Sequence, residues 1–343
     1  MKIALMEKPG DIKIKEVAMP EPKDNELLVQ IKHVGICGSD IHYYEHGRIG
    51  DFVVENPIIL GHECAGIVTG MGKDVTGFTL GDVVALEPGH TCGKCEFCLS
   101  GRYNLCPDVV FMATPPYDGA FCECVAYPSH MAFKLPIGID TMEGALIEPL
   151  AVGMHATNQG KAQLGQSAVI LGSGCIGLCT LLSLKAKGVT TIYVVDVIEK
   201  RLTKAEELGA TKVINGLKED TIETIMQLTE GKGVDMVYET AGNKITTAQT
   251  SALVKRGGTI ILVGMAPDPT ISYDFGTLMG KEASIKTVFR YRNIYPSAIA
   301  AVAAGMIPIK GIVTDTFKLA NTAQAMEYSV KNKADIVKAV IEM

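Results

Sequence analysis

Four cysteines lie within the sixteen residues TCGKCEFCLSGRYNLC, Thr91 to Cys106, while the other six of the chain's ten are scattered. Sulfurs at this density support one of three chemistries: a disulfide staple, an iron–sulfur cluster or a tetrathiolate zinc site. Compartment helps to choose. The N-terminal stretch MKIALMEKPGDIKIKEV is broken by charge every few residues and has neither a signal-type apolar core nor a membrane-length span. The chain therefore reads as soluble and cytoplasmic, where thiols stay reduced and such a pattern is more often metal-binding than disulfide. Cys106 precedes Pro107 as in ferredoxin-type runs, but seven residues separate Cys98 from Cys106 where that run has three. Zinc on Cys92, Cys95, Cys98 and Cys106 is the favoured reading, with Lys94 and Arg102 partly offsetting the thiolate charge. Four protein ligands leave no open position, so this zinc is structural.

A second ligand-type set is split between GICGSDIHYYEHGRIG and PIILGHECAG. Cys37, His62 and Glu63 offer a thiolate, an imidazole and a carboxylate, three ligands that leave a fourth position for a substrate oxygen. Only the fold could bring the two stretches together. Taken singly, each residue has an ordinary structural explanation: a small core thiol, a satisfied loop histidine, a surface acid.

A third signal follows the apolar run AVIL. There GSGCIG places Gly172, Gly174 and Gly177, with Ile176 between them, in the G-x-G-x-x-G pattern at a strand-to-helix turn, and the next strand ends on Asp196. Glycines let the backbone approach a pyrophosphate, and a carboxylate at that distance accepts hydrogen bonds from an adenosine ribose. The same carboxylate repels a 2′-phosphate, which favours NAD over NADP. Arg201 is placed either over the adenine or as a solvated helix arginine.

The elements around these residues change character along the chain. With 343 residues, about two domains are expected. Residues 1–150 are rich in glycine turns and short β-branched runs such as ELLVQIKHVG and GDVVAL, which read as all-β. From about Leu164 the runs SAVIL, TIYVVD, VDMVYET and GTIILVG lack alternation and are separated by helical segments, the pattern of a parallel sheet in an α/β domain over 151–289. The boundary is expected near a helical stretch starting at Glu148. Residues 290–343, with the alanine-rich PSAIAAVAAGM and a short final helix, are expected to pack back on the first domain. A formal charge of -6 without any Lys/Arg run argues against nucleic acid and for a small-molecule partner.

GHE, CGSDIHYYEHGRIG, the four-cysteine lobe, GSGCIG and FRYRN occur in the order seen in zinc-dependent medium-chain dehydrogenases, and together they most resemble the sorbitol (L-iditol, xylitol) dehydrogenase branch. The resemblance spans nearly the whole chain. It implies a GroES-like catalytic domain and a Rossmann coenzyme domain, one catalytic zinc on Cys37, His62 and Glu63, and Glu148 of EPL beside that metal as an alternative ligand or through water. It carries Arg290 and Tyr291, and Tyr43 of HYY, to polyol contacts. Val263, Gly264 and Met265, with Val288, Phe289 and Arg290, would line the nicotinamide side. A homotetramer follows by the same analogy. The chain keeps a cysteine lobe that some animal members lack, and it has Tyr295 where polyol dehydrogenases can carry a tryptophan, of which this sequence has none.

The chemistry implied is oxidation of a secondary hydroxyl of a sugar alcohol by hydride transfer to NAD, with Ser39 and His42 as candidates for passing the hydroxyl proton to solvent. Two rivals stand beside it. One is a related zinc dehydrogenase acting on a vicinal diol or L-threonine. The other is a binding module that has kept a dinucleotide fold without catalysis.

Overall fold

The computed structural model describes residues 1–266 and 270–343. The chain divides into two compact units, the first formed by Met1–Glu148, Tyr295–Gly305 and Val313–Met343, the second by Pro149–Ile294 and Met306–Ile312.

The first unit is built on a seven-stranded sheet. Its strands run in the order Ala132–Lys134, Val83–Leu86, Glu63–Met71, Glu26–Gly35, Lys338–Glu342 and Val313–Lys318, with Cys124–Pro128 also paired to Glu26–Gly35. The strand ELLVQIKHVG explains the centre of this sheet: Leu27, Val29, Ile31 and Val34 are fully buried. Burial of a side chain of that size contributes about 1.5–3 kcal/mol. Register shifts between Leu28 and Val29 and between Ile31 and His33 re-phase this strand against Glu63–Met71, so that Gly35 lies opposite Glu63. Leu60, Leu86 and Phe121 complete the same core.

The second unit carries a six-stranded, wholly parallel sheet in the order Lys212–Asn215, Thr191–Asp196, Ser167–Leu171, Val234–Glu239, Val254–Leu262, Ser284–Thr287. Counted along the chain this is 3-2-1-4-5-6, the doubly wound Rossmann order, whose switch point lies between Ser167–Leu171 and Val234–Glu239. The central strands read as unbroken apolar runs because both of their faces are covered: Ala168, Val169, Ile170 and Leu171 have no measurable exposure.

Several local expectations need adjusting. The segment GSDIHYYEH of the β-rich half is a helix, Gly38–His46, ended by Gly47 in a left-handed conformation (φ 67°). The helix expected from Glu148 begins at Thr141 and runs to Gln159, with Pro149 inside it. The tail contains the helix Thr322–Lys331, but after it the chain adds the strand Lys338–Glu342 to the first unit's sheet. Residues 290–294 and 306–312 group with the second unit rather than the first. Among the described residues, no helix is long and apolar enough to cross a membrane.

Candidate functional site

The four sulfurs of the cysteine lobe lie within 4.8 Å of one another. Cys95 Sγ is 3.4 Å from Cys98 Sγ, and Cys92 Sγ is 4.0 Å from it. Those separations are far from the 2.05 Å of a disulfide and close to the edge of a tetrahedron of thiolates about 2.3 Å from a zinc ion. The lobe's own backbone prepares the site. Cys95 caps the short helix Glu96–Leu99, where its sulfur accepts the amide N–H of Cys98, and Gly93 and Gly101 supply the left-handed turns (φ 69° and 71°). Amide N–H groups of Lys94 and Cys95 pull the Cys92 thiol down to about 7, whereas burial pushes Cys106 up to about 11. Arg102 stacks on Phe97, 5.4 Å from its centroid. On the other side, Tyr103 donates its hydroxyl to the buried carboxylate of Glu87 (2.7 Å).

The second set also converges. Cys37 is the residue before the helix Gly38–His46, His62 immediately precedes the strand Glu63–Met71 that Glu63 opens, and their ligand atoms lie within 4.8 Å of one another. A tetrahedral ion at 2.0–2.3 Å would hold its ligands about 3.3–3.8 Å apart, so at most about 1.5 Å of closure separates this arrangement from a bound one. Asp40 ties the two stretches together. Fully buried, it accepts the backbone N–H groups of Cys37 and Gly61, both at 2.9 Å, and its Oδ1 lies 3.8 Å from His62 Nδ1, an electrostatic contact longer than a hydrogen bond. Gly61 is required here: its φ is 87°, and a Cβ would come 2.6 Å from the Phe121 ring. Phe111 packs edge-on against the His62 ring at 5.5 Å.

The electrostatics mark this as a cation's place. Burial works against a charged imidazole, yet the Cys37 thiolate, Asp40 and Glu148 outweigh it and raise the His62 pKa to about 10. Glu148 is itself 5 % exposed, and Glu63 1 %. A cysteine sulfur, an imidazole and a carboxylate converging at one largely buried place suit zinc, and three ligands leave one position open.

The coenzyme-type signals gather in the second unit. Gly172 has φ 101° and joins the strand Ser167–Leu171 to a loop whose Gly174 caps the helix Cys175–Ala186. A Cβ on Gly177 would lie 2.0 Å from the Gly172 carbonyl oxygen, so only glycine permits this strand–helix contact. A Cβ on Gly174, by contrast, would meet nothing nearer than Arg201 Nη1 at 3.9 Å: an open, positively edged helix N-terminus suited to a pyrophosphate. Asp196 ends its strand beside this loop and is already engaged. Its Oδ2 accepts Ser173 N (2.7 Å) and Ser173 Oγ (3.0 Å), and its Oδ1 accepts the N–H groups of Val197 and Ile198 (2.7 and 3.0 Å).

At the same sheet edge Val263 and Gly264 donate their N–H groups to the Glu239 carbonyl, and Val288 donates to Leu262. A Cβ on Gly264 would lie 2.3 Å from Gly242 N. Met265 and Phe289 are exposed, and Arg290, in a left-handed conformation (φ 53°), lies 4.9 Å from the Phe289 centroid. Arg290 and the buried Tyr291 belong to the second unit, whereas Ser39, His42, Tyr43 and Glu148 belong to the first. Ser39 is half-buried, His42 is exposed, and Tyr43 is packed into the core at 3 % exposure.

Asp40, Phe111, Ser173 and Lys338 were not singled out in the sequence. Only Asp40 carried a local signal, as an acid three residues into a helix whose first residues a carboxylate could cap.

Two family models match the chain: "Alcohol dehydrogenase GroES-like domain" over residues 23–137 and "Zinc-binding dehydrogenase" over residues 175–304. The chain is 49% identical to the zinc-type alcohol dehydrogenase-like protein YdjJ of Escherichia coli (strain K12), over 99% of this chain and 98% of that protein. It is 43% identical to sorbitol dehydrogenase of Bacillus subtilis (strain 168), over 99% of this chain and 97% of the relative. Solved structures similar to this chain include the following three. An Escherichia coli oxidoreductase/dehydrogenase of unknown specificity superposes with TM-score 0.96 at 48% identity, covering 99% and 98% of the two chains. A zinc-binding dehydrogenase from Sinorhizobium meliloti 1021 bound to NADP has TM-score 0.92 at 30% identity, covering 100% and 99%. The 2R,3R-butanediol dehydrogenase from Bacillus subtilis has TM-score 0.92 at 29% identity, again covering 100% and 99%.

Proposed function

Because the chain belongs to the zinc-dependent medium-chain dehydrogenases, in their sorbitol dehydrogenase branch, and is an oxidoreductase using zinc and NAD(P), we propose that it oxidises a secondary hydroxyl of a sugar alcohol such as sorbitol, xylitol or L-iditol with NAD as acceptor. The observation that carries this reading is the convergence of the Cys37, His62 and Glu63 ligand atoms within 4.8 Å of one another. Zinc bound there supplies the Lewis acidity that makes a hydroxyl proton easier to lose, and the nicotinamide supplies the hydride acceptor. The chain's own residues do the rest. Asp40 fixes the two ligand stretches, Phe111 braces the His62 ring, and the glycines of the dinucleotide loop admit the pyrophosphate. Ser39 and His42, on the helix beside Cys37, are the proton carriers to solvent, and Glu148, Tyr43, Arg290 and Tyr291 are the groups for neighbouring hydroxyls.

Preference for NAD over NADP rests on Asp196, whose carboxylate stands at the end of the second strand and repels a 2′-phosphate. A cytoplasmic location and a homotetramer belong to the same reading. The vicinal-diol alternative has one observation in its favour, the likeness to a butanediol dehydrogenase at 29% identity, against 43% for a sorbitol dehydrogenase.

The test is a panel of sugar alcohols, 2,3-butanediol and L-threonine, each with NAD and NADP, read by nicotinamide absorbance beside zinc analysis. Turnover of at least one polyol with NAD, about two zinc per chain, and loss of both turnover and one zinc in His62→Ala are expected. Butanediol or threonine as the dominant substrate would replace this reading, and a protein holding zinc in the cysteine lobe alone would end it.

A further inference from the structure

The carboxylate of Glu63 has a partner that the ligand set does not account for. Lys338, on the strand Lys338–Glu342, sends its ammonium to both Glu63 oxygens, Oε1 at 2.8 Å and Oε2 at 2.7 Å, and to the backbone carbonyl of Ile36 at 3.0 Å. Its three N–H donors are thereby all used. The pair is among the most enclosed ionic contacts in the protein, with side-chain exposures of 3 % for Lys338 and 1 % for Glu63. The other side of the carboxylate is closed as well. A Cβ on Gly35 would stand 1.9 Å from Glu63 Oε2, so the carboxylate occupies a slot that the missing side chain leaves open. Glu63 is held from both sides while one of its oxygens remains within 4.8 Å of the ligand atoms of Cys37 and His62.

Each carboxylate oxygen has two lone pairs, so an oxygen already bonded to an ammonium can still face an ion, though with part of its electron density committed elsewhere. A cation on the same carboxylate also repels Zn²⁺ across a distance of only a few ångströms in a buried site. When no ion is bound, the ammonium keeps a buried carboxylate from standing alone, a situation that is strongly destabilising.

We infer that Lys338 is a positioning residue with two effects: it holds Glu63 in the ligand position before metal arrives, and it weakens the hold of the finished site on zinc. The inference rests on Glu63 being a ligand of the catalytic zinc. A residue that only oriented Glu63 would act in the opposite direction, since its removal would loosen the metal. The sign of the effect therefore separates a cation that competes with zinc from one that merely supports the fold.

The experiment uses the zinc-loaded full chain and a chromophoric chelator in excess, which records release of each zinc as a separate phase. The phase missing from His62→Ala belongs to the Cys37–His62–Glu63 site. In Lys338→Met that phase slows by on the order of tenfold or more, the lobe phase is unchanged, and the metal-free protein melts lower while the loaded protein melts near wild type. Lys338→Arg restores the charge and releases zinc at close to the wild-type rate, and Lys338→Gln lies between. Release from Lys338→Met as fast as, or faster than, wild type overturns the inference. Should Lys338→Met not fold without zinc, the rate from loaded Lys338→Gln decides in the same way. Wild-type protein with a single zinc phase, or His62→Ala with both, would instead overturn the ligand reading on which this rests.

Discussion

The substitution Glu87→Gln tests how the cysteine lobe is joined to the sheet. Glu87 is 4 % exposed, its carboxylate accepts the Tyr103 hydroxyl at 2.7 Å, and among the described residues no cation offsets its burial. Burial, partly opposed by that hydrogen bond, raises the Glu87 pKa from 4.5 to about 7. An acid with a raised folded pKa holds its proton more tightly in the folded chain, so its contribution to stability is complete below pH 4.5 and is lost as pH rises through 7. Integrating between those two values costs the wild type about 1 kcal/mol at pH 5.5 and about 3 kcal/mol at pH 8.5, relative to a side chain that cannot ionise. Glutamine is close in shape, keeps a carbonyl oxygen for Tyr103, and carries no such cost. Unfolding midpoints of the two proteins by scanning calorimetry, with zinc held saturating, should therefore separate with pH. The variant gains about 2 kcal/mol on the wild type between pH 5.5 and 8.5, a few degrees for a unit of this size. Because only the difference between the proteins is read, other titrating groups cancel. Curves that stay parallel across the range would refute the reasoning, as would a variant that falls behind at high pH.

Two further outcomes follow from the close contacts. Gly35→Ala puts a methyl 1.9 Å from Glu63 Oε2, so the carboxylate must move; zinc at that site falls well below one per chain and kcat/KM drops by on the order of a hundredfold, and an alanine variant with full zinc and activity would contradict the tight slot. Asp196→Ala removes the acceptor for Ser173, Val197 and Ile198; KM for NAD rises by on the order of tenfold or more while zinc content stays at wild-type level, and an unchanged KM for NAD would show that Asp196 serves only the loop.

What could be read from the amino-acid order alone follows from how local each constraint is. The lobe was legible because its sulfurs sit on adjacent turns of one loop, and GSGCIG because the glycines, the strand before them and the helix after them form one contiguous unit. Cys37 and His62 were legible as ligand types, but only family resemblance put them on one metal. Their meeting depends on Asp40, which holds a helix start and a strand start together through backbone N–H groups that any sequence possesses. The helix Gly38–His46 itself escaped because buried Asp40 and Tyr43 alternate with histidines and an acid, and apolar periodicity is faint there. Lys338 lies 275 residues from Glu63, and its place beside that carboxylate is set by the order in which strands enter the sheet. A lysine in KADIVKAVIEM gives no hint of it.

The strand Lys338–Glu342 is interior to the first unit's sheet, flanked by Glu26–Gly35 and Val313–Lys318. During synthesis Cys124–Pro128 can cover residues 26–30 of the strand Glu26–Gly35 early, but its His33–Gly35 end must wait for a partner until residues 338–342 have emerged. The second unit is mostly contiguous and can collapse well before then. Maturation of this protein is thus back-to-front in part: the domain begun first is closed last, by a five-residue insertion that also delivers the buried ammonium to its carboxylate.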